Sequence, residues 1–184
     1  MILRFDNKGI RARVIADYLR RARRFDAGVV CFTCGNAARA LVGEGLYVVE
    51  VGARGGLTPS RWWSPAEIAA AFPGLFDATS GHLSVGLMAE VGQAFRRVLG
   101  PLRGDVVVPS GSGETFCSLA LAYGAEARLI PVYDDLLPET TFSPEAPLNP
   151  LVRLLSGTSG LPPVFLPQSM RQGLCQSVGR NAGS

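Results

Sequence analysis

The stretch Val107-Val108-Pro109-Ser110-Gly111-Ser112-Gly113-Glu114-Thr115 decides how the rest of the chain is read. Asp105-Val106-Val107-Val108 has the continuous apolar character of a strand buried on both faces. Small residues then make a turn, and Glu114 to Tyr123, closed by Gly124, reads as a helix. A strand, a small-residue turn and a helix start in that order leave backbone N–H groups at the positive end of a helix, where an anion binds. Glycine lets the backbone approach such a group closely, and the hydroxyls of Ser110, Ser112 and Thr115 can add donors. Without a Lys-Ser/Thr pair this is not a Walker loop. Glu114 suits an anion site only if its carboxylate points elsewhere. An ordinary βα turn is the alternative.

Working outward, Ile2 to Phe5 can form a short strand, and Ile10, Val14, Tyr18, Ala22 and Phe25 recur near helical spacing, predicting an amphipathic helix over 9–25. Its other face carries Arg11, Arg13, Arg20, Arg21, Arg23 and Arg24. Gly28 closes it before a buried strand over 29–33. A Gly35-Asn36 turn, a short helix over 37–42 and a strand over 46–51 follow. This β-α-β-α-β order favours parallel strands with right-handed crossovers. Residues 52–64 form a Gly/Pro/Ser/Trp-rich loop. Ser64-Pro65-Ala66-Glu67 has N-cap, first-turn Pro and acidic residue in the order that starts a helix. A second amphipathic helix runs from Ser84 through Leu99, and a strand begins at Leu129. The proline-rich segment 136–184 resists assignment. The expected fold class is α/β, a three-layer parallel sheet in one compact domain over 1–184.

Composition narrows the classes. With 47% hydrophobic and 18% charged residues the chain is expected to be globular. No uncharged apolar run approaches the roughly 18–20 residues of a membrane span. Arg4 and Asp6 interrupt the opening residues, so no secretory signal is expected, and the cytoplasm is the expected compartment. Cys31 and Cys34 have CxxC spacing, but with Cys117, Cys175 and the lone His82 a tetrahedral site would need nearly every candidate. No metal is expected. Of the 18 basic residues only Lys8 is a lysine, so any chemistry needing a lysine amine has one candidate. Lys8 stands at a helix start, where the cationic form is electrostatically disfavoured, as suits an amine nucleophile. A solvated surface lysine is the bland alternative.

Taken in order, Asn7-Lys8-Gly9-Ile10-Arg11, Thr33-Cys34-Gly35-Asn36-Ala37-Ala38 and Val108-Pro109-Ser110-Gly111-Ser112-Gly113-Glu114-Thr115 resemble the fold-type II pyridoxal 5'-phosphate (PLP) enzymes. These include threonine dehydratases, cysteine synthases, threonine synthases and tryptophan synthase β. The family has a lysine at a helix start, a Ser-Ser-Gly-Asn-type turn and a Val-Pro-x-Gly-x-Gly-Gly-Thr phosphate turn. The resemblance spans residues 2–135. It implies a Schiff base at Lys8, a cofactor contact from Asn36, and phosphate contacts from Ser110, Gly111, Ser112, Gly113 and Thr115. Ser159, or Thr158, is the residue available to the pyridine nitrogen. The chain departs from the family in its shorter length and in the compressed stretch between Asn36 and Ser110, which implies a reduced small lobe.

The resemblance implies an enzyme of the lyase, decarboxylase or β-replacement class acting on an amino-acid-like amine, and a homodimer. Some small bacteriophage PLP proteins act on amino-acid-decorated bases in DNA, including by decarboxylation, and the sequence is similar to them in character. In that version the Arg-rich helix would hold nucleic acid phosphates; the alternative is a solvated arginine face. A nucleotide- or phosphate-binding domain, or a cofactor-less domain of the same fold, is the remaining class. His82 in its Gly/Ser turn reads as a loop or helix-start residue before a catalytic base. Trp62 and Trp63 read as a lobe or subunit plug before a stacking platform.

Overall fold

A computed structural model of the protein describes residues 1–32, 36–51, 65–79, 83–110, 113–134 and 164–166. The elements in chain order are α1 (Asn7–Arg21), β1 (Val29–Phe32), α2 (Asn36–Gly43), β2 (Val48–Val51), α3 (Pro65–Ala71) and β3 (Phe76–Asp77). There follow α4 (Val85–Leu99), β4 (Gly104–Ser110), α5 (Glu114–Tyr123), β5 (Ala127–Asp134) and β6 (Val164–Leu166). The class is α/β, and every strand pairing is parallel, as the alternating order predicts. The described strands divide between two three-stranded sheets, ordered β2-β1-β3 and β4-β5-β6.

The amino-terminal segment joins the second sheet. Ile2 makes a parallel bridge with Val107; the Leu3 N–H donates to the Val107 carbonyl at 3.0 Å, and the Val107 N–H to the Met1 carbonyl at 2.8 Å. Both polar groups of Val107 therefore face this segment, on the edge of β4 away from β5. The chain starts beside β4, passes through α1 to build the first sheet, and returns through α4 to the second. Lys8 lies where the chain leaves one sheet for the other.

One core joins the two sheets. Val29 and Cys31 of β1 and Val106 and Val108 of β4 share it with Ile15 and Leu19 of α1, Val91 and Phe95 of α4, and Phe116 and Leu119 of α5. Because side chains alternate along a strand, Val30 points to the other side of β1, against Ile68 of α3 and Val51. Alternate residues of β1 are thus buried on opposite faces, as its unbroken apolar run requires.

Helix boundaries follow local chemistry. Asp6 caps α1, its Oδ1 accepting from the Gly9 N–H at 2.9 Å, so the helix starts two residues before the expected position and takes Lys8 into its first turn. A Cβ on Gly9 would fall 2.1 Å from Asp6 Oδ2, so glycine leaves the cap room to close. The helix stops at Arg21, short of 25, because Arg23 turns to a left-handed φ of 53°. Ser84 caps α4, accepting from the Leu87 N–H at 3.2 Å, and Gly100 closes it at φ 69°.

Candidate functional site

Two strand-to-helix turns lie side by side. One leads from the bridge at Ile2 into α1, the other from β4 into α5, and the two helix starts are tied together. Asn7 Nδ2 donates to Thr115 Oγ1 at 2.9 Å. Arg11 Nη1 is ion-paired with Glu114 Oε2, and Arg11 Nη2 donates to the Ala78 carbonyl at 3.5 Å. Ala78 is presented by a small turn at the end of β3, where Asp77 Oδ1 accepts from the Thr79 N–H at 2.9 Å and from its hydroxyl at 2.5 Å. The starts of α1 and α5 and the end of β3 thus meet.

Gly113 caps α5 with φ 89°, a left-handed conformation that costs a glycine little. It supplies no side-chain acceptor to the first-turn N–H groups. Glu114 is 3% exposed. A carboxylate buried this deeply requires a cation or several donors, and Arg11 provides the cation. The charge that looked awkward for an anion site is therefore balanced inside the protein. Phe5, two residues before α1, is fixed edge-on against Phe95 with centroids 4.8 Å apart.

The expected site residues are distributed as follows. Lys8 is half-buried between Asn7 and Arg11 in sequence, about 60° round the helix from Arg11. Gly113 and Thr115 stand at the start of α5, and Ser110 ends β4 in register with Tyr133. Asn36 opens α2, exposed, its amide oxygen accepting from Arg39 Nη2 at 2.5 Å. Gly111, Ser112, Ser159, Thr158, His82, Trp62, Trp63, Cys34 and Cys175 lie outside the described residues. Asn7, Glu114 and Ala78 are additions from the structure.

Arg11 corrects the expected polar face of α1. Its side chain is 14% exposed and turned to α5, because position 11 lies only about 40° round the helix from Asn7. The other arginines within α1 are also engaged: Arg13 with Glu44 at 3.6 Å, Arg20 with Asp17 at 2.9 Å, and Arg21 with Glu90 at 2.5 Å. Arg24 donates to the Gly74 carbonyl at 3.3 Å. A polyanion would have to displace these partners. Among the described residues no group of three or more His, Cys, Asp or Glu could hold a metal ion, and no helix is long and apolar enough to cross a membrane.

Cys117, in the second turn of α5, is fully buried. Burial, and then the nearby charge of Glu114, push its thiol up to about 12 from an ordinary 9.0. Iodoacetamide is expected to leave Cys117 unmodified until the protein unfolds. In the unfolded chain the thiol ionises at its ordinary value, so its contribution to stability is complete below pH 9.0 and is lost as pH rises towards about 12. Burial likewise raises Tyr123, whose hydroxyl donates to the Gly100 carbonyl at 2.6 Å. Melting temperature should therefore fall through this alkaline window, and Cys117→Ala should make the fall shallower without abolishing it. An equal fall in the variant would exclude the thiol as a contributor.

No known protein-family model matches the chain, and no curated protein matches it in sequence. Its function has to be read from the chemistry of these two helix starts.

Proposed function

We propose that the protein is a PLP-dependent enzyme acting on an amino-acid-like amine, with Lys8 as the residue that bonds the cofactor aldehyde. The observation that carries this reading is the clasp of α1 to α5 through Asn7–Thr115 and Arg11–Glu114. It ties the helix whose first turn holds the only lysine of the chain to the start of α5, which supports the reading. Such a cofactor requires an amine and a phosphate cradle, here from distant parts of the sequence, and the tie between the two helix starts supports their coming together.

The donor set is chemically suitable. The Gly113 cap and the first-turn N–H groups of α5 offer hydrogen bonds and the positive end of a helix to a phosphate. Thr115 supplies a hydroxyl already oriented by Asn7. Glu114 does not repel the phosphate as a free carboxylate would, because Arg11 offsets it. When bound, the cofactor supplies an electron sink for charge developing at the α-carbon of the substrate. Lys8 Nζ would be the group to hold or move a proton at that carbon. The reaction class we favour is that of a lyase, with β-replacement or decarboxylation as variants. The DNA-base version has less support, since the arginines of α1 already have internal partners.

Incubation with PLP, borohydride reduction and peptide mapping test this reading. We expect a visible absorbance band and a reduced pyridoxyl group on Lys8, both absent in Lys8→Ala. Label confined to the amino terminus, or none, would overturn it. Phosphate-competable binding without label would instead favour the non-covalent phosphate-binding domain.

A further inference from the structure

We propose that Asn7 makes the site selective for a phosphorylated aldehyde, by holding the Thr115 hydroxyl as a hydrogen-bond donor to the phosphate. Asn7 is a positioning residue in this role, acting through Thr115 without touching the cofactor. The role rests on the PLP reading above and adds to it the means of telling PLP from its unphosphorylated form.

A hydroxyl has one hydrogen to give and two lone pairs with which to accept. Asn7 Nδ2 occupies one lone pair of Thr115 Oγ1, at 2.9 Å in a part-buried contact. An amide N–H only donates, so Thr115 cannot return its own hydrogen to that nitrogen. A threonine inside a helix commonly gives its hydrogen to a carbonyl one turn earlier. Thr115 is the second residue of α5, and no turn of that helix precedes it. Among the described residues no acceptor takes the Thr115 hydrogen. An uncommitted donor is thus left at the positive end of α5. An ionised phosphate, whose oxygens accept, completes the bond with charge assistance.

Asn7 is well placed to impose this polarity. Its backbone N–H donates to the Phe5 carbonyl at 2.8 Å, and Phe5 is itself seated edge-on against Phe95. The preceding residue, Asp6, caps α1 through the Gly9 N–H. The amide is therefore presented from backbone held on both sides. A carboxylate at the same position would do the opposite: it would accept the Thr115 hydrogen and turn the hydroxyl round.

The test compares borohydride-trapped labelling of Lys8 by PLP and by pyridoxal, the same aldehyde without the phosphate. Wild type should be labelled by PLP at least about tenfold faster than by pyridoxal. Asn7→Asp keeps the side chain's shape, and an acid in the first turn suits α1. This variant should fold, as read by circular dichroism and melting. Its PLP labelling should fall at least about tenfold, while pyridoxal labelling stays within about twofold of wild type. Thr115→Val should lose the preference for PLP, and Thr115→Ser, which keeps the hydroxyl, should retain it. On the Thr115→Val background, Asn7→Asp should slow PLP labelling only about threefold, the part due to charge alone. Should Thr115→Val fail to fold, Thr115→Ala takes its place with the same expectations. Three results would each overturn the role of Asn7 and leave Lys8 as the cofactor lysine. They are a labelled wild type without preference for PLP, equal slowing of both aldehydes by Asn7→Asp, and the full tenfold loss on the Thr115→Val background. A wild-type chain that takes no PLP label on Lys8 would overturn both readings.

Discussion

Gly92→Ala is expected to destabilise the protein by about 3 kcal/mol and to abolish PLP labelling of Lys8 at temperatures where wild type is still folded. Gly92 is buried in α4 where that helix crosses α5. A Cβ there would lie 2.0 Å from the Ser118 carbonyl oxygen, 2.9 Å from the Ser118 carbonyl carbon and 3.1 Å from Ala122 Cβ. The first two are backbone atoms in the middle of α5 and cannot swing aside. The helices must separate, which opens the shared core around Val91, Phe95 and Leu119. Alanine has the better helix propensity by up to about 1 kcal/mol, which reduces the loss without reversing it. Since α5 carries Glu114 and Thr115, its displacement also loosens both ties to α1. Gly86→Ala is the control: it lies in the same helix with nothing within 4 Å of the added carbon, and it should be neutral or stabilising by up to about 1 kcal/mol. Urea unfolding of the two variants beside wild type measures the difference. If Gly92→Ala unfolds with wild type, the close approach of α4 and α5 is not what holds this half of the core.

Periodicity is a local property, and what it governs was legible in the sequence. The run Val29-Val30-Cys31 announced a strand buried on both sides, and it has core on both sides. The spacing of Met88, Val91, Phe95 and Val98 predicted an amphipathic α4, of which Met88, Val91 and Phe95 are buried while Val98 is exposed. The partition of strands into two sheets was not legible, because parallel pairing is silent about which strands pair. Nor was the placement of Arg11. Six arginines on one side of an amphipathic pattern look alike by composition, and only the packing of α1 against α5 separates the buried one from the rest. The end of α1 was misjudged for a related reason: Phe25 continues the helical spacing but belongs to a 3-10 turn, Phe25–Ala27, after the left-handed Arg23. The meeting of the starts of α1 and α5 was not legible either. Its physical origin is the bridge between Ile2 and Val107, a contact between residues too far apart for any local pattern to encode.

Removing Arg11 alone should be costly where removing the pair is not. Arg11→Met leaves the Glu114 carboxylate, 3% exposed, without its cation and the Ala78 carbonyl without that donor. Breaking a buried pair from one side typically costs about 3–5 kcal/mol. The positive end of α5 lies beside Glu114 and offsets part of this, so the lower end, about 3 kcal/mol, is expected. Glu114→Leu should cost less, because a guanidinium on a long flexible stem, already 14% exposed, can turn its head towards water. The double variant should regain most of the loss, since neither charge is left stranded. A double-mutant cycle on unfolding free energies isolates the coupling, and added salt should change it little because the pair is shielded from counterions. If the losses in the two single variants simply add up to the loss in the double variant, the ion pair carries no net coupling. The Asn7–Thr115 hydrogen bond would then be the stronger of the two ties between the starts of α1 and α5.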